Sequence, residues 1–342
     1  MHQLETFISA KYRPDVLGGR LDKEHKAIFN ITSEPVNEPL LTVNAICFGP
    51  RKDNVLINLE HVMNREDNIL IFYYEDIHHR WSYVHSNNEN YFLFKKNEFE
   101  QYKIKPTCLY IRGCYIEPDD RYWLLLGDFF NFVELWDGKV LCPPKKQLSN
   151  ESKLYQLNNS LRKAAKENPS ISLGASYVIK GKKQLNLLEQ NKSYIVKSLS
   201  GVRSIVVDEK DYKKWCANNI NNIPVLFQEK INGNDLRAHV INKQIFAKRS
   251  NTKENIDYRY DSNFFKLSDV ENIDEKLQSF CLAVADEEDN SLLGIDFIQT
   301  DSGYVALEAN PSPGWSAYHP FNGIDDEPFI TKLLRVLKSD EI

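Results

Sequence analysis

The stretch Leu293-Gly-Ile-Asp-Phe-Ile-Gln-Thr-Asp-Ser-Gly-Tyr-Val-Ala-Leu-Glu-Ala-Asn-Pro311 decides how the rest of the chain is read. Ile295 and Phe297 alternate with Asp296 and Ile298, the period-2 pattern of a strand. Asp301-Ser302-Gly303 has turn chemistry and Tyr304 to Ala309 resumes an extended run, so the whole reads as a β-hairpin. Asp296 sits on the outgoing strand, Glu308 and Asn310 on the return. Three oxygen side chains on paired strands suit one hard cation, and Mg²⁺ takes a few carboxylate or amide oxygens together with phosphate oxygens and water. Pro311 ends the strand because it has no N–H to give to a ladder. A hairpin with one solvated polar face accounts for the Asp and the Glu just as simply, so the decision rests on the remainder of the chain.

The chain has 342 residues, enough for two or three domains with a real core. Its formal net charge of −5 shows no basic excess of the kind that points to nucleic acid. Cys47, Cys108, Cys114, Cys142, Cys216 and Cys281 form no Cys-x-x-Cys pair and read as reduced thiols of a cytoplasmic protein. No signal-like N-terminus and no apolar run of membrane-spanning length is present, so no membrane partner is expected. Residues 1–42, with Gly18-Gly19, Pro14, Pro35 and Pro39, read as an irregular extension.

Further along, Val43–Phe48, Ile69–Tyr74 and Cys108–Arg112 are apolar strand candidates. Val55–Met63 and Tyr122–Trp136 have helical spacing, the latter with Leu125, Phe129, Phe132, Val133 and Trp136 on one face. This alternation predicts an α/β domain over 43–141. Gly138 is expected to cap the second helix in the left-handed region. His61, His78 and His79 lack partners at metal-ligand spacing and read as surface or loop histidines. After Val140–Pro144, Ser149–Ser152 offers an N-cap to a helix carrying Leu154, Leu157, Leu161 and Ala165, with Lys153 at its start.

Tyr194–Lys197 is a strand delivering Lys197 into a loop with Ser198, Ser200 and Gly201. A lysine there is a point charge for phosphate, and small residues let backbone N–H groups approach the same oxygens; an ordinary hairpin with an exposed lysine fits as well. Val225–Phe227 is a further strand, followed by Gln228-Glu229-Lys230-Ile231 and then Asp235-Leu236-Arg237. Ala238–Ile241 and Ile245–Ala247 form a hairpin expected to carry Lys248 and Arg249 out at its end. Arg237, Arg249 and Arg259 are candidates to steady a phosphoryl group in transfer, since guanidinium forks suit that charge. Asp274–Asp286 reads as a helix with Leu277, Phe280, Cys281 and Val284 buried, and Phe329–Leu337 as a closing amphipathic helix.

The ordered set Lys153, Lys197, Gln228-Glu229, Asp235-Leu236-Arg237, Asp296 and Glu308-x-Asn310 resembles the ATP-grasp ligases over about Cys142–Leu337. Within them it looks most like the branch of the ribosomal protein S6 glutamate ligase and the microviridin-type peptide cyclases. The resemblance implies a mixed α/β (α+β) ATP-grasp fold with an N-terminal α/β pre-grasp domain at 43–141, a first grasp half at 142–230 and a second at 231–342. It implies ATP and Mg²⁺ as cofactors, the metal on Asp296, Glu308 and Asn310. Lys153, Lys197, Ser198 and Gly201 would meet the phosphates, Gln228, Glu229, Lys230 and Ile231 the adenine side, and Asp235 would open the second half. The phosphate loop has fewer glycines than the family pattern. Arg237, Arg249 and Arg259 would carry the catalytic role, Arg237 and Arg259 before Arg249. The implied reaction is ligation through an acyl phosphate, leading to side-chain ester or amide crosslinks in a precursor peptide bound through leader and core. The alternatives are addition of an amino acid to a protein tail or small acid, and a non-catalytic nucleotide-binding module. A homodimer is the default the resemblance implies.

Overall fold

The computed structural model describes residues 39–64, 67–86, 89–96, 100–113, 120–189, 191–199, 224–250, 267–321 and 327–338. In chain order the first elements are β1 (Leu40–Leu41), β2 (Ala45–Gly49), α1 (Asn54–Val62), β3 (Ile69–Tyr73), β4 (Trp81–His85), β5 (Asn90–Lys95), β6 (Gln101–Ile104), β7 (Cys108–Ile111), α2 (Asp120–Val133) and β8 (Lys139–Leu141). They make two sheets. Strands β3-β2-β7-β8 are parallel throughout. β2 is buried along its whole length, which is why it reads as an unbroken apolar run. Asp53 caps α1 by accepting from the N–H groups of Val55 and Leu56.

The second sheet, β1-β6-β5-β4, breaks the simple β/α alternation expected from the sequence. It is mainly antiparallel and closes over an aromatic cluster of Phe48, Phe72, Trp81, Phe92 and Phe129. Phe48 lies 4.8 Å from Phe129 and 5.2 Å from both Trp81 and Phe92, ring centre to ring centre. The expected left-handed cap at Gly138 is corrected. Helix α2 ends at Val133 and Gly138 has no positive φ. Glycine is needed there because a Cβ would press to 2.6 Å from Trp136 Nε1 and 2.7 Å from the Thr107 carbonyl oxygen.

The second part of the chain continues with α3 (Lys153–Asn158), α4 (Ser160–Glu167), β9 (Ile171–Leu173), β10 (Ser176–Ile179), β11 (Tyr194–Lys197), β12 (Val225–Glu229), β13 (Asn234–Ile241), β14 (Gln244–Ser250), β15 (Leu267–Asp269), α5 (Glu275–Glu288), β16 (Leu292–Thr300), β17 (Gly303–Asn310) and α6 (Pro328–Lys338). The single helix expected after Ser152 is two, broken at Asn159 (φ −115°, ψ −97°). A small antiparallel sheet runs β10-β12-β11, and a six-stranded sheet runs β15-β14-β13-β16-β17-β9. The hairpin that opened the sequence reading therefore lies in the middle of the larger sheet. The turn joining β13 to β14 places Asn242 and Lys243 at φ 45° and 64°, the left-handed pair that a tight hairpin turn requires.

The six-stranded sheet has two different faces. On one, Leu236, Ala238, Val240, Leu293, Ile295, Phe297, Ala306 and Ala309 pack against α5 through Leu277, Phe280, Cys281 and Val284. The opposite face carries the polar residues described next, and at its far end Ile241 and Leu292 join Trp315 and the apolar side of α6. Cys47, Cys108, Cys142 and Cys281 are buried free thiols; Cys114 and Cys216 lie outside the described residues. Among the described residues no helix is long and apolar enough to cross a membrane.

Candidate active site

Register sets the polar face. Arg237 on β13 stands opposite Asp296 on β16, and Asp296 stands opposite Glu308 on β17. Residues opposite each other in an antiparallel pair share a face, so these three side chains form a row across three strands. Asn310 follows two residues after Glu308, opposite Gly294. A bulge makes this possible. Phe297 pairs with Ala306 while Asp296 pairs with Glu308, so Leu307 is the extra residue. Simple alternation would send Glu308 to the same side as Ala306. With Leu307 inserted, Ala306 and Ala309 both lie in the apolar core and Glu308 and Asn310 turn to the polar face.

Each carboxylate of the row has a cation beside it. Arg237 Nη1 lies 2.8 Å from Asp296 Oδ1, with the arginine side chain only 6 % exposed. Lys153 Nζ donates to Glu308 Oε2 at 2.7 Å. Lys153 is the first residue of α3, capped by Ser152 accepting from the Tyr155 N–H. Its own N–H donates to the Leu199 carbonyl at 3.2 Å, which brings the start of α3 next to the segment after β11. Buried Gln156, one turn along α3, grips the backbone of the return strand: its amide donates to the Ala309 carbonyl, and its Oε1 accepts from the Ala309 N–H at 3.3 Å. Asn310 Oδ1 accepts from the Ser312 N–H at 2.9 Å, fixing the amide.

Arg112 ties this end of β17 to the first sheet. It reaches Asp53 at 3.3 Å, Ser312 Oγ at 3.1 Å and the Pro313 carbonyl at 2.8 Å, and Gly113 N–H donates to the same hydroxyl. Gln156, Arg112 and Ser312 were not singled out from the sequence. Gln156 sits among apolar helix positions and Arg112 ends an apolar strand, so neither stands out in one dimension.

On the small sheet, Lys197 Nζ donates to Gln228 Oε1 at 2.8 Å. Lys197 stands opposite Leu226, and Leu226 belongs to the core shared with the large sheet, so Lys197 and Gln228 lie on its inward face. Ser198 follows directly. At the end of β12, the Glu229 N–H donates to the Ala175 carbonyl and the following Lys230 N–H to the Ser193 carbonyl, both at 2.8 Å. The Glu229 carboxylate lies 3.3 Å from Lys192. The connector through Ile231 to Asp235 joins the two sheets, with Asp235 opposite Ile298 on the polar face.

Two expectations about basic residues are corrected. Lys248 and Arg249 are not carried out at the end of the hairpin: both lie inside β14, and Lys248 is 7 % exposed. Arg249 pairs with Leu236, whose side chain is in the apolar core, whereas Arg237 pairs with Lys248. Arg249 therefore falls on the face opposite to Arg237 and Asp296, with Nη1 3.5 Å from Gln299 Oε1. Arg259, Ser200 and Gly201 lie outside the described residues.

The donor set suits a hard cation. Asp296, Glu308 and Asn310 supply two carboxylates and one amide oxygen on one face, and two fixed cations flank them. Among the described residues no three or more His, Cys, Asp or Glu side chains group as a metal site, and the set here has two carboxylates with one amide oxygen.

Comparison with known proteins bears on the family and the fold. The model of the RimK-like ATP-grasp domain matches residues 158–334, just over half of the chain. The chain belongs to the RimK-like ATP-grasp family. A probable alpha-L-glutamate ligase of Pasteurella multocida is 27 % identical over 139 residues, covering 38 % of this chain and 44 % of the relative. The chain thus spans less than half the length of that curated relative. The fold is similar to that of the Chryseobacterium gregarium RiPP-associated ATP-grasp ligase in complex with ADP and a leader and core peptide, with a TM-score of 0.69, 15 % identity, and coverage of 86 % of this chain and 96 % of that one. It is also similar to the macrocyclase MdnC of Microcystis aeruginosa MRC bound with precursor peptide MdnA, with a TM-score of 0.64, 15 % identity, and coverage of 87 % and 100 %. The fold is ATP-grasp.

Proposed function

We propose that this protein is an ATP-dependent ligase that activates a carboxylate as an acyl phosphate and passes it to a hydroxyl or amine, and that its substrate is a peptide whose own side chains become joined. The observation that carries the reading is the row Arg237, Asp296, Glu308 with Asn310 beside it, each carboxylate held by a fixed cation. Asp296, Glu308 and Asn310 would hold Mg²⁺, whose chemistry is to offset charge on the terminal phosphates of ATP. Lys153, at the start of α3, and Lys197, on the inward face of the small sheet, would meet those phosphates. Their charge would be shared between the carboxylates or Gln228 they now touch and the phosphates. Glu229, Lys230 and Ile231 would meet the adenine, with the first two N–H groups already engaged inside the fold. Arg237 is the group placed to steady the γ-phosphoryl as the substrate carboxylate attacks it, and Arg259 is proposed as its partner from the sequence resemblance alone. ADP leaves, the nucleophile displaces phosphate from the acyl carbon, and an ester or amide remains.

The peptide substrate is supported by the two similar folds, both of which are complexes with peptides. The second reading, addition of a free amino acid such as glutamate to an acidic acceptor, is favoured by the curated relative. One experiment separates them. Phosphate release from Mg-ATP is measured with acidic peptides encoded beside this gene, and the intact mass of each peptide is then read. Stimulated phosphate with loss of one water per bond is expected. A gain of one amino-acid residue would replace the first reading by the second, and a Glu308→Ala chain that keeps its biological activity would remove both.

A further inference from the structure

Arg237 does not stand alone behind Asp296. A file of buried polar side chains runs from it toward the surface. Arg237 Nε donates to His239 Nε2 at 3.3 Å. His239 Nδ1 lies 3.0 Å from His319 Nε2, and His319 Nδ1 lies 2.6 Å from Glu327 Oε1. His239 is fully buried and His319 is 1 % exposed. The file links four elements of the chain: β13, the segment after Pro311, the start of α6 and, through Lys248 at 3.5 Å from Glu327, β14.

The tautomers follow from one fact. A guanidinium nitrogen only donates, so His239 Nε2 must accept and carries no proton. A neutral His239 then has its proton on Nδ1, and it gives that proton to His319 Nε2. His319 in turn carries its proton on Nδ1 and donates to the Glu327 carboxylate. The reverse polarity would require both nitrogens of His239 to accept, which leaves an imidazolate, so it is ruled out. Every arrow therefore runs one way, from Arg237 to Glu327. The surroundings agree. Burial, then the charge of Arg237, then His319 and Lys248 hold His239 well below the ordinary histidine range. Burial first, with Lys248 adding to it, lowers His319 against the opposing pull of Glu327 and Asp269. His319 stacks on Phe329 at 4.3 Å and 12°, and the Tyr318 ring lies 5.6 Å from the Arg237 guanidinium, so both ends are also clamped by rings. Gly294, opposite His239 in register, leaves space for the guanidinium, since a Cβ there would collide with it.

We propose that His239, His319 and Glu327 are positioning residues that lock the Arg237 guanidinium by its Nε, through a one-way chain of two neutral Nδ1–H histidines, so that its Nη1 end is held on Asp296. The role in catalysis rests on the ligase reading above; the lock itself does not. A lysine at 237 could not be held in this manner, because it has no side donor to anchor while its tip faces the site. The chain moves no proton in the reaction: its first donor stays protonated at all working pH values. Its effect is to fix the direction in which the arginine presents its charge.

The test has one arm for each claim. Imidazole nitrogen NMR of the full chain at pH 7.5, assigned with His239→Gln and His319→Gln, is expected to show both histidines neutral with the proton on Nδ1. An Nε2–H tautomer or an imidazolium at either position would overturn the chain. Exchange of the Arg237 Nε–H with water then reads the lock directly and needs no substrate. Loss of a hydrogen bond to a charged group should speed it about tenfold or more in His239→Phe, with His239→Gln in between. Glu327→Leu, nearer the surface, gives the same reading in a smaller measure should His239→Phe not fold. Unchanged exchange in a folded variant would overturn the positioning role. With ligase activity in hand, His239→Phe should lower kcat for phosphate release by about tenfold or more while KM for ATP holds within about twofold. A change confined to KM would equally count against it. A wild-type chain that neither binds nor turns over Mg-ATP would sink the ligase reading and leave both NMR arms standing.

Discussion

The two faces of strands β13, β16 and β17 invite comparison, because the same backbone builds both. One face is Leu236, Ala238, Val240, Leu293, Ile295, Phe297, Ala306 and Ala309, closed by helix α5. The other is Arg237, His239, Asp296, Glu308 and Asn310, held by ion pairs and hydrogen bonds at 2.6–3.3 Å that reach into α3, α6 and the segment after Pro311. The apolar face needs only shape and volume from its neighbours. The polar face needs every donor and acceptor matched, since an unmatched buried polar group costs more than a lost contact. The first is closed mainly by α5, the helix next to it in sequence, with Leu157, Leu161 and Ala164 joining the same core, and the second by matched polar side chains drawn from distant parts of the chain.

The bulge at Leu307 is where the comparison is most easily broken. Ala306→Glu, on the inward side of that bulge, should bury a carboxylate in the apolar core under α5 without Lys153. The expected cost is on the order of 5 kcal/mol, comparable with the whole stability of a domain; circular dichroism and a denaturant curve would show it. An Ala306→Glu variant that melts like wild type would mean that the bulge does not keep the two faces apart.

Next in size is Phe280→Ala, under the apolar face, expected to lower stability by about 3–5 kcal/mol while Mg-ATP affinity of the still-folded fraction holds. Glu308→Gln should do the reverse: phosphate release falling about 100-fold or more, on the scale of losing one fixed electrostatic partner of the transition state, with the denaturant midpoint close to wild type. If the two variants behave alike, the faces are not separate in function.

Acid should weaken the polar face in particular. Both His239 and His319 are held below their ordinary value in the folded state, so the unfolded chain takes up their protons first. Stability is therefore full above about pH 6.5 and falls below it, by about 1.4 kcal/mol per pH unit for each histidine until its folded value is reached. Burial would raise Glu327, but His319 and Lys248 outweigh it and lower its carboxyl, which extends the loss to more acid pH. Thermal melts of wild type and His239→Gln from pH 8 to 5 would show it, the variant having the shallower slope. The smallest effect is expected at Arg249→Ala. It removes a half-buried arginine on the apolar side, and its effect on phosphate release should stay within about threefold, or ~0.6 kcal/mol. A large fall there would place Arg249 in the reaction and undo the division by register.

Much of the fold was legible because strands and helices announce themselves by period. The hairpin 293–311, the strands at 45–49, 69–73, 108–111, 194–197 and 225–229 and the helix at 275–288 all follow from local alternation or helical spacing. Asp296, Glu308 and Asn310 stood out for the same reason, being polar positions set into apolar runs. The sheet β1-β6-β5-β4 was not read, because its polar-rich strands gain their burial from an aromatic cluster assembled across the chain.

The sequence by itself pointed to the ATP-grasp class and to Asp296, Glu308 and Asn310 as candidate oxygen donors, since those are patterns of neighbours along a strand. The tertiary structure alone decided which cation holds which carboxylate, that Arg237 and Arg249 lie on opposite faces, that Leu307 turns Glu308 outward, and that two histidines 80 residues apart back Arg237. Register, bulge and burial are properties of paired strands and closed packing, and no single strand carries them.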